Sequence, residues 1–321
     1  VTEPFRALLS YHYYRDTDLD VLAEALTIDG TAPDIFFDSG AYSAESQGVE
    51  VLLGDYIAWV RRWHHLVTAY SNLDVIRDPS ATDANQQAME AAGLSPVPVF
   101  HTLSPWAEFE RLCERYRYVA LGGMVGLGGA RALKAWQAKA HMVARERGAV
   151  LHGFGVSSLD ALMTFPWYSV DSSSWTIAFK YGVVHVFDER RGAMRALRLG
   201  PGRQWGDFGP LVRSYGMDPE DFIDRERNTF DHNRALAYAS HRRLEAFLRE
   251  RHGQVTMPED RPPEVRQCGA GSRFYLCGWP GDERNTGALE PLLAAGLRLY
   301  TTTGQERGHL RGAARMMSSH E

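Results

Sequence analysis

The chain has 321 residues, 44% of them hydrophobic and 23% charged, with a formal net charge of −5. That balance suits one large globular domain or two small ones, and it excludes an overall basic footprint, leaving any nucleic-acid contact to local patches. The three cysteines, Cys113, Cys268 and Cys277, form no Cys-x-x-Cys pair, so neither a disulfide framework nor a zinc ribbon is expected.

In chain order, residues 5–14 read as an aromatic strand and 18–26 as a short helix. Asp34-Ile-Phe-Phe-Asp38 reads as a buried parallel strand that delivers a carboxylate to its C-terminal rim, with a tight Ser39-Gly40-Ala41 turn and Tyr42 beyond. Residues 55–70 carry apolar side chains at spacings of three and four, one face of a helix. Residues 70–76 form a third expected strand, bearing Asp74. Asp78-Pro79-Ser80 opens a helix that Gly93 stops. Strand 96–101 ends in His101, helix 105–115 follows, and strand 118–124 ends in Gly122, Gly123 and Met124. An Ala-rich helix spans 130–147, strand 150–155 carries His152, a short helix stops before Pro166, and strand 168–175 carries Asp171.

Seven βα units in succession predict an α/β fold, a TIM-like (β/α)8 barrel, and no G-x-G-x-x-G follows the first strand to favour a dinucleotide fold. The pattern then changes. Segments 183–187 and 193–199 alternate about Glu189-Arg190-Arg191-Gly192 like a hairpin, 219–252 is charged and helical, and 253–271 is a Pro- and Gly-rich loop. Residues 274–278 read as the eighth strand, with a helix near 286–295, an apolar run at 297–300 and a mobile tail from 304. The expected organisation is a single domain: 1–180 holds barrel strands one to seven, 181–272 is a hairpin and helical insertion, and 273–321 supplies the last strand, its helix and the tail. No apolar run reaches the roughly eighteen residues of a membrane span, and the first residues lack a signal-peptide pattern, so a soluble cytoplasmic protein is expected.

In such a barrel the functional side chains stand at the C-terminal ends of the strands. The rims supply Asp38, Tyr42, Asp74, His101, Gly122, Gly123, His152 and Asp171. Three acids with no rim Lys or Arg either bind a metal or divide acid, base and nucleophile roles. The His-x-His and His-Glu-x-x-His spacings are absent, which favours the second reading and predicts no metal and no cofactor.

The ordered set DSGAYS, NLDVI, VPVFH, ALGGMVG, HGFG and SVDSSSW resembles the tRNA-guanine transglycosylase superfamily. Its spelling is most similar to the phage and bacterial DNA-modifying branch, the DNA-guanine transglycosylases of the DpdA type, over roughly residues 5–180. The resemblance implies exchange of guanine in DNA for a 7-deazaguanine such as 7-cyano-7-deazaguanine. It places the nucleophile on Asp171 and the general acid/base on Asp38. Asp74 would read the guanine N1/N2 edge, and the Gly123 amide would donate to O6, with Gly122 and Met124 shaping that loop. Tyr42 and His152 would sandwich the purine beside Ser39, and His101 stands where a side-chain amide is usual. Two displacements at one carbon need a carboxylate nucleophile and a second acid/base group, and the target base must be flipped or single-stranded to be reached.

The Cys-x-Cys-x-x-Cys zinc subdomain of the tRNA enzymes is missing, which turns the expectation toward DNA. The expected partners are DNA and a free 7-deazaguanine base, with room for helper proteins and none for a membrane; a phage-encoded protein would act in host cytoplasm. Candidate phosphate contacts are Lys180, Arg190, Arg191, Arg195, Arg198 and Arg203, with Arg242, Arg243, Arg249 and Arg251 on the long helix, set against the plainer reading of solvated charged faces. The rival functions are the same chemistry on RNA, a non-catalytic nucleic-acid-binding subunit, and a barrel glycosidase or nucleosidase that uses water.

Overall fold

A computed structural model describes residues 3–124, 129–173, 181–253, 255–257 and 273–277. Short apolar runs bounded by polar turns form the strands β1 (Arg6–Ser10), β2 (Asp34–Asp38), β3 (Ala69–Tyr70), β4 (Val99–His101), β5 (Tyr118–Gly122), β6 (Val150–Gly153) and β7 (Ser169–Ser172). Between them lie α1 (Tyr11–Tyr14), α2 (Leu19–Ala25), α3 (Ala41–Ser46), α4 (Leu53–Arg62), α5 (Pro79–Ala91), α6 (Trp106–Arg115), α7 (Ala130–Arg147) and α8 (Leu159–Thr164). Local chemistry sets several starts. Asp18 accepts the Asp20 amide at 3.0 Å ahead of α2, and Asp78 accepts the Ala81 amide at 2.9 Å with Pro79 in the first turn of α5.

The antiparallel hairpin of β8 (Val183–Asp188) and β9 (Ala193–Arg198) follows, then α9 (Trp205–Arg213), α10 (Glu220–Ile223) and α11 (Phe230–His252). β10 (Arg273–Cys277) returns to the main sheet between β1 and β7, the place of the expected eighth strand. The eight strands run parallel in the order β3-β2-β1-β10-β7-β6-β5-β4.

The sheet curls. Phe36 of β2 stacks on His152 of β6 with ring centroids 4.6 Å apart, although three strands lie between them in the sheet order. Leu8, Phe36, Val99, Tyr118, Ala120, Val150 and Tyr275 share one interior cluster, joined by Met257 from beyond α11. The opposite faces of the strands pack Ile35, Phe37, Phe100, Val119, Leu121 and Leu151 against the helices. A parallel bridge pairs Ser71, just past β3, with Val97, just before β4, and these two strands are the edges of the sheet order.

Charge is buried at the N-terminal end of the strands. Asp34 takes Arg6 and Arg273, each at 3.3 Å, and the Tyr275 hydroxyl at 2.9 Å. Arg6 also meets Glu245 of α11 at 2.7 Å. One acid shared among two arginines and a phenol ties β1, β2, β10 and α11 together where an unpaired charge would be costly. No helix among the described residues is long and apolar enough to cross a membrane.

Several boundaries differ from the sequence reading. Residues 11–14 form a helical turn rather than continuing the first strand, because β1 ends where Ser10 pairs with Asp38. The helix expected over 55–70 stops at Arg62; Leu66, Val67 and Tyr70 continue its apolar spacing but pack into the core from a loop and from β3. Asp74 lies beyond the two-residue β3 rather than on a strand. The sequence pattern gave no sign of α9, which holds Pro210 and Gly209 yet is anchored by buried Phe208 and Val212. Lys180, most of the 253–271 loop, the helix near 286–295, the run at 297–300 and the tail lie outside the described residues.

Candidate active site

Asp38 ends β2 beside Ser10, its partner in register on β1. Its carboxylate accepts the Gly40 amide at 3.0 Å across a tight turn. Gly40 is left-handed at φ +74°, and a Cβ there would lie 2.3 Å from the Ser10 Oγ and 2.5 Å from the His12 Cβ, so the turn requires glycine. Burial first, then the neighbouring Asp74 and Asp171 carboxylates, push the Asp38 pKa up to about 7 against the opposing pull of the Gly40 amide and the Ser10 hydroxyl. A carboxyl poised there can give a proton in one step and take one in the next.

Asp171, on β7, is 7% exposed and held from both sides. Its Oδ1 accepts the Gly155 amide at 3.0 Å and faces Nε2 of His152 at 3.3 Å, and its Oδ2 accepts the Cys277 thiol at 3.1 Å. Nδ1 of His152 meets the Ser169 hydroxyl at 2.6 Å, and that hydroxyl also contacts the Tyr118 hydroxyl. If Ser169 donates to Nδ1, the imidazole proton sits on Nε2 and faces Asp171, and the phenol donates to Ser169.

His152 therefore departs from the place the resemblance gives it. Its ring is fully buried, stacked on Phe36 and edge-on to Phe154 at 4.6 Å. Val150 shares its parity, so the alternation of β6 turns the ring toward the interior cluster of the curled sheet. Tyr42, by contrast, is 59% exposed in the first turn of α3, with a face open to stacking.

The third acid is fixed by a neighbour in the turn after β2 and by one on β4. Asp74 accepts the Ser39 hydroxyl at 3.1 Å through Oδ1 and meets Nε2 of His101 at 2.9 Å through Oδ2. His101 pairs in register with Gly122. A Cβ on Gly122 would stand 2.8 Å from the imidazole Cδ2 and 3.1 Å from Nε2, so the missing side chain is the space the ring occupies. Gly123 turns left-handed at φ +67°, and its carbonyl accepts the Thr102 hydroxyl at 2.8 Å. Met124 is buried behind it, its sulfur 3.5 Å from the Gln137 amide nitrogen. Asp38, Ser39, Asp74, His101 and the two glycines thus form one connected group, and Asp171 acts on Asp38 electrostatically from β7.

The arginines divide. Arg242 and Arg249 pair with Glu3 and Glu245, Arg243 donates to the Ser214 carbonyl and lies over the Tyr215 ring, and Arg251 donates to the Met163 carbonyl. The helix arginines thus all have partners within the molecule. On the hairpin, Arg195 is held by Asp188 at 3.2 Å and Asp207 at 3.5 Å and lies over Phe208, and Arg191 shares both acids more loosely. The hairpin turn sits near Met163 at the end of α8, away from the rim, so Arg190 and Arg191 stand apart from the acids. Arg198 lies at the other end of the ladder, opposite Val183, and it and Arg203 are exposed with no ion-pair partner among the described residues.

Among the described residues no group of three or more His, Cys, Asp and Glu side chains is arranged to hold a metal ion. Cys277 is a site-facing residue that sequence reasoning passed over. No protein-family model and no curated protein matches the chain.

Proposed function

We propose that this chain is a DNA-guanine transglycosylase, exchanging guanine in DNA for a 7-deazaguanine by double displacement with retention. The observation that carries the reading is the unlike treatment of two rim carboxylates: Asp171 accepts hydrogen bonds from the Gly155 amide and the Cys277 thiol with the His152 imidazole 3.3 Å away, while Asp38 is raised to about 7. A raised carboxyl suits the acid/base role, and a carboxylate held by hydrogen bonds beside it suits the nucleophile's. We also read the curled sheet as a closed (β/α)8 barrel, a reading supported by the Ser71–Val97 bridge between its edge strands.

In the first displacement Asp171 attacks C1′, the C1′–N9 pair leaves with guanine, and protonated Asp38 supplies the proton the purine needs. In the second, Asp38 takes the N9 proton of the incoming base, N9 attacks C1′, and Asp171 departs as carboxylate. Asp74, aimed by Ser39 and His101, suits the N1–H and N2–H donors of the purine edge, and the Gly123 amide suits O6. Exposed Tyr42 offers the stacking face, and Arg198 and Arg203 are the arginines best left for phosphate.

The test is release of radiolabelled guanine from DNA and, in parallel, from tRNA, with and without 7-cyano-7-deazaguanine. Release from DNA that depends on the added base is the expected result. Release from tRNA alone would transfer the chemistry to RNA, release without added base would indicate a hydrolase, and no release from either would overturn the reading.

A further inference from the structure

Cys277 is the last inward residue of β10, and the two displacements above leave it without a role. Its thiol donates to Oδ2 of Asp171 at 3.1 Å. The strand register explains the contact. Tyr275 pairs with Asp171, so Cys277 stands one pleat, about 7 Å, farther toward the rim on a parallel neighbour. His152 approaches from the other direction, since it pairs with Ser169, one pleat before Asp171 on β7. The two oxygens are therefore unequal. Oδ1 accepts the Gly155 amide and has Nε2 of His152 3.3 Å away, whereas Oδ2 carries a weak S–H donor from β10.

We infer that Cys277 is a positioning residue that holds the Asp171 side chain with Oδ2 toward the mouth, making Oδ2 the atom that attacks C1′. The inference rests on the transglycosylase reading. The bond from Oδ2 to C1′ forms as the C1′–N9 bond breaks, its pair leaves on the purine, the proton comes from Asp38, and the thiol keeps its own proton throughout. A weak donor fixes direction at little cost to the nucleophile's lone pairs. Burial, followed by the facing Asp171 carboxylate, raises the thiol well above its ordinary value, so it does not compete as a nucleophile.

Two measurements on the full chain test this. In the first, Cys277→Ala should lower kcat for guanine release about tenfold with KM for DNA unchanged, and Cys277→Ser, which keeps a donor, should recover to within about threefold of the parent. An unchanged kcat in Cys277→Ala, or a rise in KM alone, would overturn the assignment. The second does not depend on the reaction: alkylation of Cys277 by iodoacetamide at pH 8, followed by peptide mass spectrometry. Asp171→Asn removes the facing charge and should speed alkylation severalfold, and equal rates would overturn the contact itself. A parent chain that exchanges no base would sink the functional reading, while the alkylation ratio would still decide whether the thiol holds Asp171.

Discussion

Replacing Gly122 by alanine tests the proposed base-reading side of the site with a single methyl group. The added Cβ would meet Cδ2 of His101 at 2.8 Å and both Nε2 of His101 and Cγ1 of Val99 at 3.1 Å. Carbon pairs settle at about 3.5–4.0 Å, so the imidazole must withdraw by about 0.7 Å. Starting from the 2.9 Å contact with Asp74, that displacement carries the pair to about 3.6 Å, outside hydrogen-bond range. A hydrogen bond to a charged group is worth about 1.5–3 kcal/mol, which corresponds to a loss of about ten- to a hundredfold in kcat/KM for exchange. Gly122 is not in the left-handed region, so backbone strain adds nothing and the variant should fold. The assay is steady-state guanine exchange on DNA for Gly122→Ala, His101→Ala and the double variant, with thermal unfolding as a control. Because both changes break the same contact, the double variant should be little worse than either alone. Full activity in a folded Gly122→Ala, or simple additivity of the two losses, would refute the argument.

Further outcomes are expected of the acids, the buried histidines and the arginines. In the proposed mechanism guanine release needs protonated Asp38, so its single-turnover rate should be full below about pH 7 and fall about tenfold per unit above it. Asp74→Asn removes a like charge and should move that break to lower pH. The raised acid also has a stability sign: between 3.8 and about 7 the folded chain holds the extra proton, so stability drops as pH rises through that window. Asp38→Asn should therefore abolish exchange yet be more stable than the parent at pH 8 in urea unfolding. His141 and His241 carry the opposite sign. Burial lowers them to about 3 and about 4, so the unfolded chain binds more protons between pH 6.5 and those values, and each costs about 1.4 kcal/mol of stability per unit as pH falls. His141→Phe, which keeps a ring against Phe165 and Trp167, should flatten that slope relative to the parent. Finally, Arg198→Ala and Arg203→Ala should each weaken DNA binding and reduce the log–log salt slope by about one, whereas Arg249→Ala should lower stability and leave the slope unchanged.

Most of the strand and helix order was legible because punctuation and periodicity agreed. The helix Ala130–Arg147 lies where it was expected, bounded by Gly129 and a left-handed Gly148. The helix after residue 53 was overrun for a physical reason: Trp63, Leu66 and Val67 keep helical spacing while serving the same core from a loop. The geometry around Asp38 and Asp74 was half legible. Their presence could be read, but the Ser39–Asp74–His101 chain needs the tertiary neighbours. The parity of Val150 and His152 could have placed that imidazole on the inner face of the curled sheet, and the resemblance drew it to the base instead. Cys277 was illegible, since a single cysteine in an apolar strand acquires meaning only when β10 is known to lie beside β7. The partners of the helix arginines could not be read, because Glu3 above all stands far away in sequence.

The position of β10 has a bearing on how the molecule comes to be active. Strand pairing joins it to β1 and β7, and its Arg273 meets the Asp34 carboxylate beside Arg6. During synthesis the first seven strands emerge well before it, leaving β1 and β7 as unpaired edges with Asp171 open to water on one side. The carboxylate on which exchange would depend meets its thiol partner only when that late strand inserts and closes the longest loop in the sheet, a slow event by the entropy of bringing such distant segments together. The setting of Asp171 is thereby tied to the last step of assembly, so a chain interrupted before residue 273 would carry every acid of the site without the thiol that meets Asp171.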